Sequence, residues 1–187
     1  LLRPGDRIVC HKTVYYWTTE LMTTVLPEFG IEVDMIDLRE EDALREALSR
    51  QPRVVYFEPL ANPTLDVIDS EATLTAAREA GATAVGDNTY LSPYLLNPIS
   101  LGADIVVHSA TKYLCGHGDA LAGIVVTASK EHGEAITRSR NIHGGILSPI
   151  NAFLLLRGTK TLSVRMDRHN SNAQAVADYL ESHPSVT

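Results

Sequence analysis

The sequence predicts an α/β fold, a mostly parallel sheet with helices on both faces. Three observations carry that prediction. Short apolar, β-branched runs recur along the chain, and stretches with helical spacing separate them. The runs also show little outward polarity, as strands do when both sheet faces are covered.

The elements follow in order. Residues 7–15, with Ile8, Val9 and Val14, are expected as a strand. Residues 18–29 carry Leu21, Met22, Val25 and Leu26 at helical spacing, and Gly30 supplies a stop. Residues 32–38 form a second strand around Val33, Met35 and Ile36. Residues 40–49 place Ala43, Leu44, Ala47 and Leu48 on one helical face. Residues 53–57 are a third strand, ended by Pro59 and Pro63. Residues 70–80 are a helix closed by Gly81, and 83–87 a short strand. Residues 104–108 and 123–127 are two further β-branched runs. From residue 129 onward the chain reads as helical, with 152–156 and 173–180 as its clearest apolar faces. No internal repeat, low-complexity tract or linker divides it, so residues 1–187 are expected as a single domain.

The bulk properties exclude several classes. A chain of 187 residues with 44% hydrophobic content suits one well-buried core. A net charge of -7 argues against a nucleic-acid surface, which needs a basic face to replace phosphate counterions. No apolar run approaches the roughly twenty residues that span a bilayer, so no membrane partner is expected. The opening residues lack the charged and apolar regions of a signal peptide. Cys10 and Cys115 are far apart, which fits a reduced cytoplasmic protein with two incidental thiols. There is no His-x-x-x-His and no Cys-x-x-Cys, so no metal site is expected.

In an open parallel sheet, ligands collect beyond the carboxyl ends of the strands. Glu58, Asp87 and Lys112 all fall just past predicted strands and are expected in one crevice. Lys112 ends the segment Ser109-Ala110-Thr111-Lys112, ahead of the flexible Gly116-His117-Gly118-Asp119. A lysine there can form a Schiff base with a carbonyl cofactor, while Ser109 and Thr111 hold a phosphate; pyridoxal phosphate needs both. An exposed lysine after a strand is more often only a solvated charge, so the segment alone is weak. Asp87 is either a turn former or a partner for a protonated pyridine nitrogen. Asn62, before Pro63, is either a turn residue or an amide donor to a ring oxygen. Tyr15 is either a core-edge aromatic or a ring that stacks on a heteroaromatic group, with a hydroxyl that moves protons. A nucleotide-binding dehydrogenase is disfavoured, because no Gly-x-Gly-x-x-Gly follows the first strand.

Four motifs together resemble a known family: Glu58-Pro59-Leu60-Ala61-Asn62-Pro63-Thr64, Asp87-Asn88-Thr89-Tyr90, the run from Leu101 to Tyr113, and Gly116-His117-Gly118-Asp119. With Leu147-Ser148-Pro149 and the run from Leu155 to Leu162, they resemble the Cys/Met-metabolism pyridoxal phosphate enzymes in order and spacing. The family includes cystathionine γ-synthase, cystathionine γ-lyase, methionine γ-lyase and O-acetylhomoserine sulfhydrylase. The resemblance implies the large domain of fold-type I, aspartate aminotransferase-like enzymes and the cofactor pyridoxal 5'-phosphate. It also implies γ- or β-elimination or replacement on sulfur amino acids or activated homoserines, most like cystathionine γ-synthase or γ-lyase. Methionine γ-lyase or O-acetylhomoserine sulfhydrylase is the alternative, and a catalytically silent cofactor-binding homologue the non-enzyme one.

Position by position, the resemblance implies that Lys112 is the Schiff-base lysine and the base at the substrate's α-carbon. Asp87 would hold the ring nitrogen, Asn62 would sit near the ring's hydroxyl oxygen, and Ser109 and Thr111 would bind the phosphate. Tyr15 would stack on the ring and assist the leaving group. The partners implied are a small amino-acid substrate and further copies of the chain in a tetramer.

Three departures qualify the resemblance. Tyr16 and Trp17 stand where the family has small residues, and are expected to narrow the pocket or reshape a subunit contact. Methionine γ-lyases carry a cysteine in place of Trp17 and Lys-Asp in place of Arg140-Asn141, which disfavours methionine γ-lyase proper. Pro59 and Leu60 alter the Glu-x-Pro-x-Asn-Pro pattern, although Asn62 remains. The family's amino-terminal arm and carboxy-terminal small domain fall outside the match, so the chain is expected to be a partial large domain.

Overall fold

The computed structural model describes residues 1–186. Its strands are β1 (Arg7–His11), β2 (Glu32–Ile36), β3 (Val54–Phe57), β4 (Thr83–Asp87), β5 (Ile105–Ser109) and β6 (Gly123–Thr127). They form one sheet in the order β2-β1-β3-β4-β5-β6. The first five run parallel, and β6 returns antiparallel to β5 with Ser109 opposite Gly123. The expected α/β class and mostly parallel sheet are what the chain adopts.

β1 lies inside the sheet, and the chain leaves it first toward β2 and then, on the other side, toward β3. That reversal makes a topological switch point between β1 and β3, where the loops beyond the strand ends part to leave a crevice. The first strand is shorter than expected. Lys12 N makes its last ladder bond, to Ile36 O at 2.7 Å, and the chain then turns away, carrying Tyr15 to the start of a helix.

The helix expected over 18–29 is present but uneven: α1 (Tyr16–Glu20), a π-helical stretch (Leu21–Val25) and α2 (Leu26–Glu28). Pro27 has no N–H to give to Thr23, so the turn ahead of it widens and Leu26 N bonds Leu21 O. The later helices are α3 (Glu41–Ser49), α4 (Ser70–Glu79), α5 (Ser92–Leu95), α6 (Lys130–His143), α7 (Pro149–Thr159) and α8 (Leu162–Glu181). Asp69, Ser129 and Ser148 cap α4, α6 and α7 by accepting from the N–H of Ala72, His132 and Asn151.

Both sheet faces are covered, as expected of strands without polar alternation. On one face Val9, Val55, Phe57, Ala84 and Val106 pack against Leu44 and Ala47 of α3 and Leu74 and Ala77 of α4. On the other, Ile8, Cys10, Val54, Val85 and Ile105 pack against Met22 and Leu26. Phe57 and Val55 are fully buried, and each side chain contributes about 1.5–3 kcal/mol. A third cluster joins Ala110, Leu114, Cys115 and Ala120 to Leu155 of α7, so α7 and α8 rest on the turn that follows β5. Among the described residues no helix is long and apolar enough to cross a membrane.

Candidate active site

The carboxyl ends of the strands open into a cavity of about 490 Å³. Tyr15, Glu58, Asn62, Asp87, Ser109 and Lys112 line it, so residues spread over nearly a hundred positions meet at one place. Each arrives at the end of its own strand: Tyr15 after β1, Glu58 and Asn62 after β3, Asp87 at the end of β4, and Ser109 and Lys112 from β5. Such a volume suits a small-molecule ligand.

Asp87 is the most firmly held of these groups. Tyr56 donates its hydroxyl to Oδ2 at 3.0 Å, while Thr89 gives Oδ1 both its N–H at 3.0 Å and its hydroxyl at 2.5 Å. The Thr89 oxygen in turn accepts the Ser109 N–H at 2.7 Å, which ties β5 to the same network. Burial, then the charge of Asp87, raises the Tyr56 hydroxyl well above its usual range, so it stays a donor.

Glu58 spans the switch point. It is buried, and its Oε1 accepts the Tyr15 N–H at 2.5 Å, which sets where the Tyr15 ring begins. Burial pushes its carboxyl up to about 7 and nearby Asp87 adds to the rise, against a downward pull from the Tyr15 and Asn62 N–H groups. The Cys10 thiol beneath it goes up to about 12, by burial and then by the charge of Glu58. A thiol held that high stays protonated and unreactive.

Lys112 is exposed, and among the described residues it forms no ion pair. Its amine is therefore free for a ligand. Thr111 is placed differently. It does not line the cavity; its hydroxyl accepts the Ala122 N–H at 3.0 Å and donates to Ala122 O at 3.3 Å. Tyr16 and Trp17 also lie outside the lining. They are exposed and meet edge to face at 4.9 Å, so they do not narrow this cavity.

Four lining side chains received no role from the sequence, those of Thr89, Tyr90, Tyr113 and His169. Tyr113 stands between the other two rings, 6.4 Å from Tyr90 and 5.3 Å from His169. The Asp-x-Thr spacing was a usable signal for Thr89, since an aspartate bonds the backbone two residues on. Nothing local marked His169, which comes from the long helix α8.

These residues fit pyridoxal phosphate. The cavity offers an unpaired amine, a carboxylate fixed through both oxygens, an amide, a hydroxyl and three tyrosine rings suited to a flat aromatic ligand.

Comparison with known proteins agrees. The profile of the family described as Cys/Met metabolism PLP-dependent enzyme matches residues 1–187. The L-methionine gamma-lyase of Pseudomonas putida is 46% identical over 100% of this chain and 47% of its own length. The cystathionine gamma-lyase of Bacillus subtilis is 42% identical over 100% of this chain and 49% of its own. The solved cystathionine gamma-lyase of Lactobacillus plantarum, complexed with L-serine, superposes with a TM-score of 0.97 at 40% identity. That match covers 100% of this chain and 49% of the solved one. The chain spans about half the length of the relatives it matches. The motifs, the cavity and these likenesses converge, and the chain belongs to the Cys/Met metabolism PLP-dependent enzyme family.

Proposed function

We propose that this chain is the cofactor-binding part of an enzyme that carries out γ- or β-elimination or replacement on sulfur amino acids or activated homoserines, most like cystathionine γ-synthase or γ-lyase. One observation carries the reading: the unpaired Lys112 amine and the doubly held Asp87 carboxylate line the same cavity.

Bound pyridoxal phosphate supplies an aldehyde that condenses with amines and a ring that draws off electrons when a bond at the α-carbon breaks. Lys112 would hold that group through Nζ and, once the substrate's own amine has displaced it, would take and return the proton of the substrate's α-carbon. Asp87 accepts a hydrogen bond from the ring N–H and keeps the proton there. Asn62 donates its amide to the ring oxygen. The Tyr15 ring stacks on the flat face, and its hydroxyl gives a proton to the leaving group. Ser109 donates to the phosphate. Thr111, whose hydroxyl is bonded to Ala122, serves the same end by fixing the turn that presents Ser109 and Lys112.

The 46% identity with the Pseudomonas putida methionine gamma-lyase favours a second reading, methionine γ-lyase. Trp17 and Arg140-Asn141 speak against it. We place the protein in the cytoplasm, consistent with two free, buried cysteines. We also read it as a homo-oligomer, a tetramer by family resemblance. The exposed Tyr16 and Trp17, next in the chain to the cavity-lining Tyr15, support a subunit contact there.

The test is substrate profiling of the full-length protein loaded with pyridoxal phosphate. Release of thiol or α-keto acid from cystathionine, methionine or an acyl-homoserine is expected. A protein that binds the cofactor yet turns over none of these is a silent homologue, and the enzymatic reading fails.

A further inference from the structure

Arg165 lies in the first turns of α8, half-buried, and its guanidinium meets no carboxylate among the described residues. Its donors go to oxygens of the chain instead. Nη1 donates to Tyr113 O at 2.7 Å, Nη2 to Gly158 O at 2.9 Å and Nε to Thr161 Oγ1 at 3.1 Å. Tyr113 is the residue directly after Lys112. Hydrogen bonds from a charged donor are about twice as strong as neutral ones, and the planar fork fixes direction as well as distance.

Three further features close around the same turn. Gly116, at φ +75°, leaves the space the guanidinium fills; a Cβ there would overlap it. Gly158 of α7 lies so close to Cys115 that a side chain would overlap the Cys115 carbonyl. His169, one helical turn beyond Arg165 on α8, packs on the Tyr113 ring at 5.3 Å. Tyr113 is thus held at both ends by one helix, its carbonyl by Arg165 and its ring by His169. The turn is otherwise bonded mostly to itself and its own strand, with Lys112 N to Ser109 O at 3.0 Å and Gly116 N to Lys112 O at 2.8 Å.

We propose that Arg165 is the positioning residue for Lys112, clamping the Tyr113–Gly116 turn to α7 and α8 so that the lysine enters the cavity from a fixed direction. The proposal rests on the reading of Lys112 given above. A lysine side chain has four flexible carbons, and fixing its root narrows the volume that its amine explores. Arg165 touches neither substrate nor cofactor in this role.

The experiment uses the full-length protein with Arg165→Met, Arg165→Lys and a control, Tyr94→Phe. The control removes the bond from Tyr94 to Asp167 Oδ1 at 2.8 Å, which also ties an element to α8 but through two residues outside the cavity lining. Arg165→Met is expected to weaken pyridoxal phosphate binding at least about tenfold, the size of one charge-assisted hydrogen bond. It should also move the midpoint of the pH titration of the visible band and speed amide exchange at Cys115 and Gly116 in the cofactor-free protein. Arg165→Lys recovers part of each change, and Tyr94→Phe alters none. Wild-type behaviour of Arg165→Met, or equal shifts in Tyr94→Phe, overturns the proposal. Should Arg165→Met not fold, Arg165→Lys decides on the same readouts, and a wild-type profile there overturns it. Should the wild type bind no cofactor, the proposed function fails, and amide exchange alone decides the clamp.

Discussion

Thr89 grips Asp87 twice through a single carboxylate oxygen: its N–H and its hydroxyl both donate to Oδ1, at 3.0 and 2.5 Å. The same hydroxyl accepts from Ser109 N–H at 2.7 Å, so one oxygen joins the ends of β4 and β5. Thr89→Val keeps the shape and removes that oxygen. It leaves Ser109 N–H without an acceptor, and a loss of about 1–3 kcal/mol is expected in denaturant unfolding of the protein. Thr89→Ser, which keeps the hydroxyl, should retain most of the stability.

Glu58 makes stability depend on pH in a definite direction. Its carboxyl is raised from 4.5 to about 7 in the folded protein, so between those values the native state binds the extra proton. That contribution is fully present below about 4.5 and is lost as pH rises through about 7. Glu58→Gln removes it. The stability of the wild type minus that of Glu58→Gln should fall as pH rises from 4.5 to 7.5; a flat or rising difference contradicts the assignment.

Gly158 is required for close approach rather than for a special backbone angle. A methyl group there would overlap the Cys115 carbonyl, and backbone cannot swing aside as a side chain can. Gly158→Ala would be favourable in an isolated helix, where alanine is the better former by about 1 kcal/mol. Here overpacking wins, and a net loss of about 1–3 kcal/mol is expected in thermal or denaturant unfolding. A stabilised variant would mean that α7 does not press on the turn.

The lysine turn shows where sequence reasoning reached its limit. Apolar, β-branched runs placed most strands within a residue or two, because a strand buried on both faces needs such residues wherever it runs. The antiparallel return of β6 was not marked, since a short apolar run carries no direction. Glu58, Asp87 and Lys112 were expected in one crevice because each falls at or just past the end of an expected strand, and the sheet's topology brings them to the lining of one cavity. Thr111 was paired with Ser109 as a phosphate holder, which the rule that alternate residues of a strand share one face would allow. That rule holds in extended chain, and β5 ends at Ser109. Beyond it the backbone turns, with Cys115 N bonding Ala110 O at 2.9 Å, and Thr111 faces Ala122 instead. His169 and Arg165 could not have been found locally. They reach the site from α8, and only tertiary packing sets which face of that helix meets the turn.

The central claim is that Lys112 holds the cofactor opposite Asp87. Borohydride reduction of the full-length protein incubated with pyridoxal phosphate, followed by peptide mapping, tests it most directly. The account predicts a stable adduct on Lys112, absent from Lys112→Ala, and weaker loading in Asp87→Asn. An adduct confined to another lysine, or no adduct on a folded protein, would contradict it.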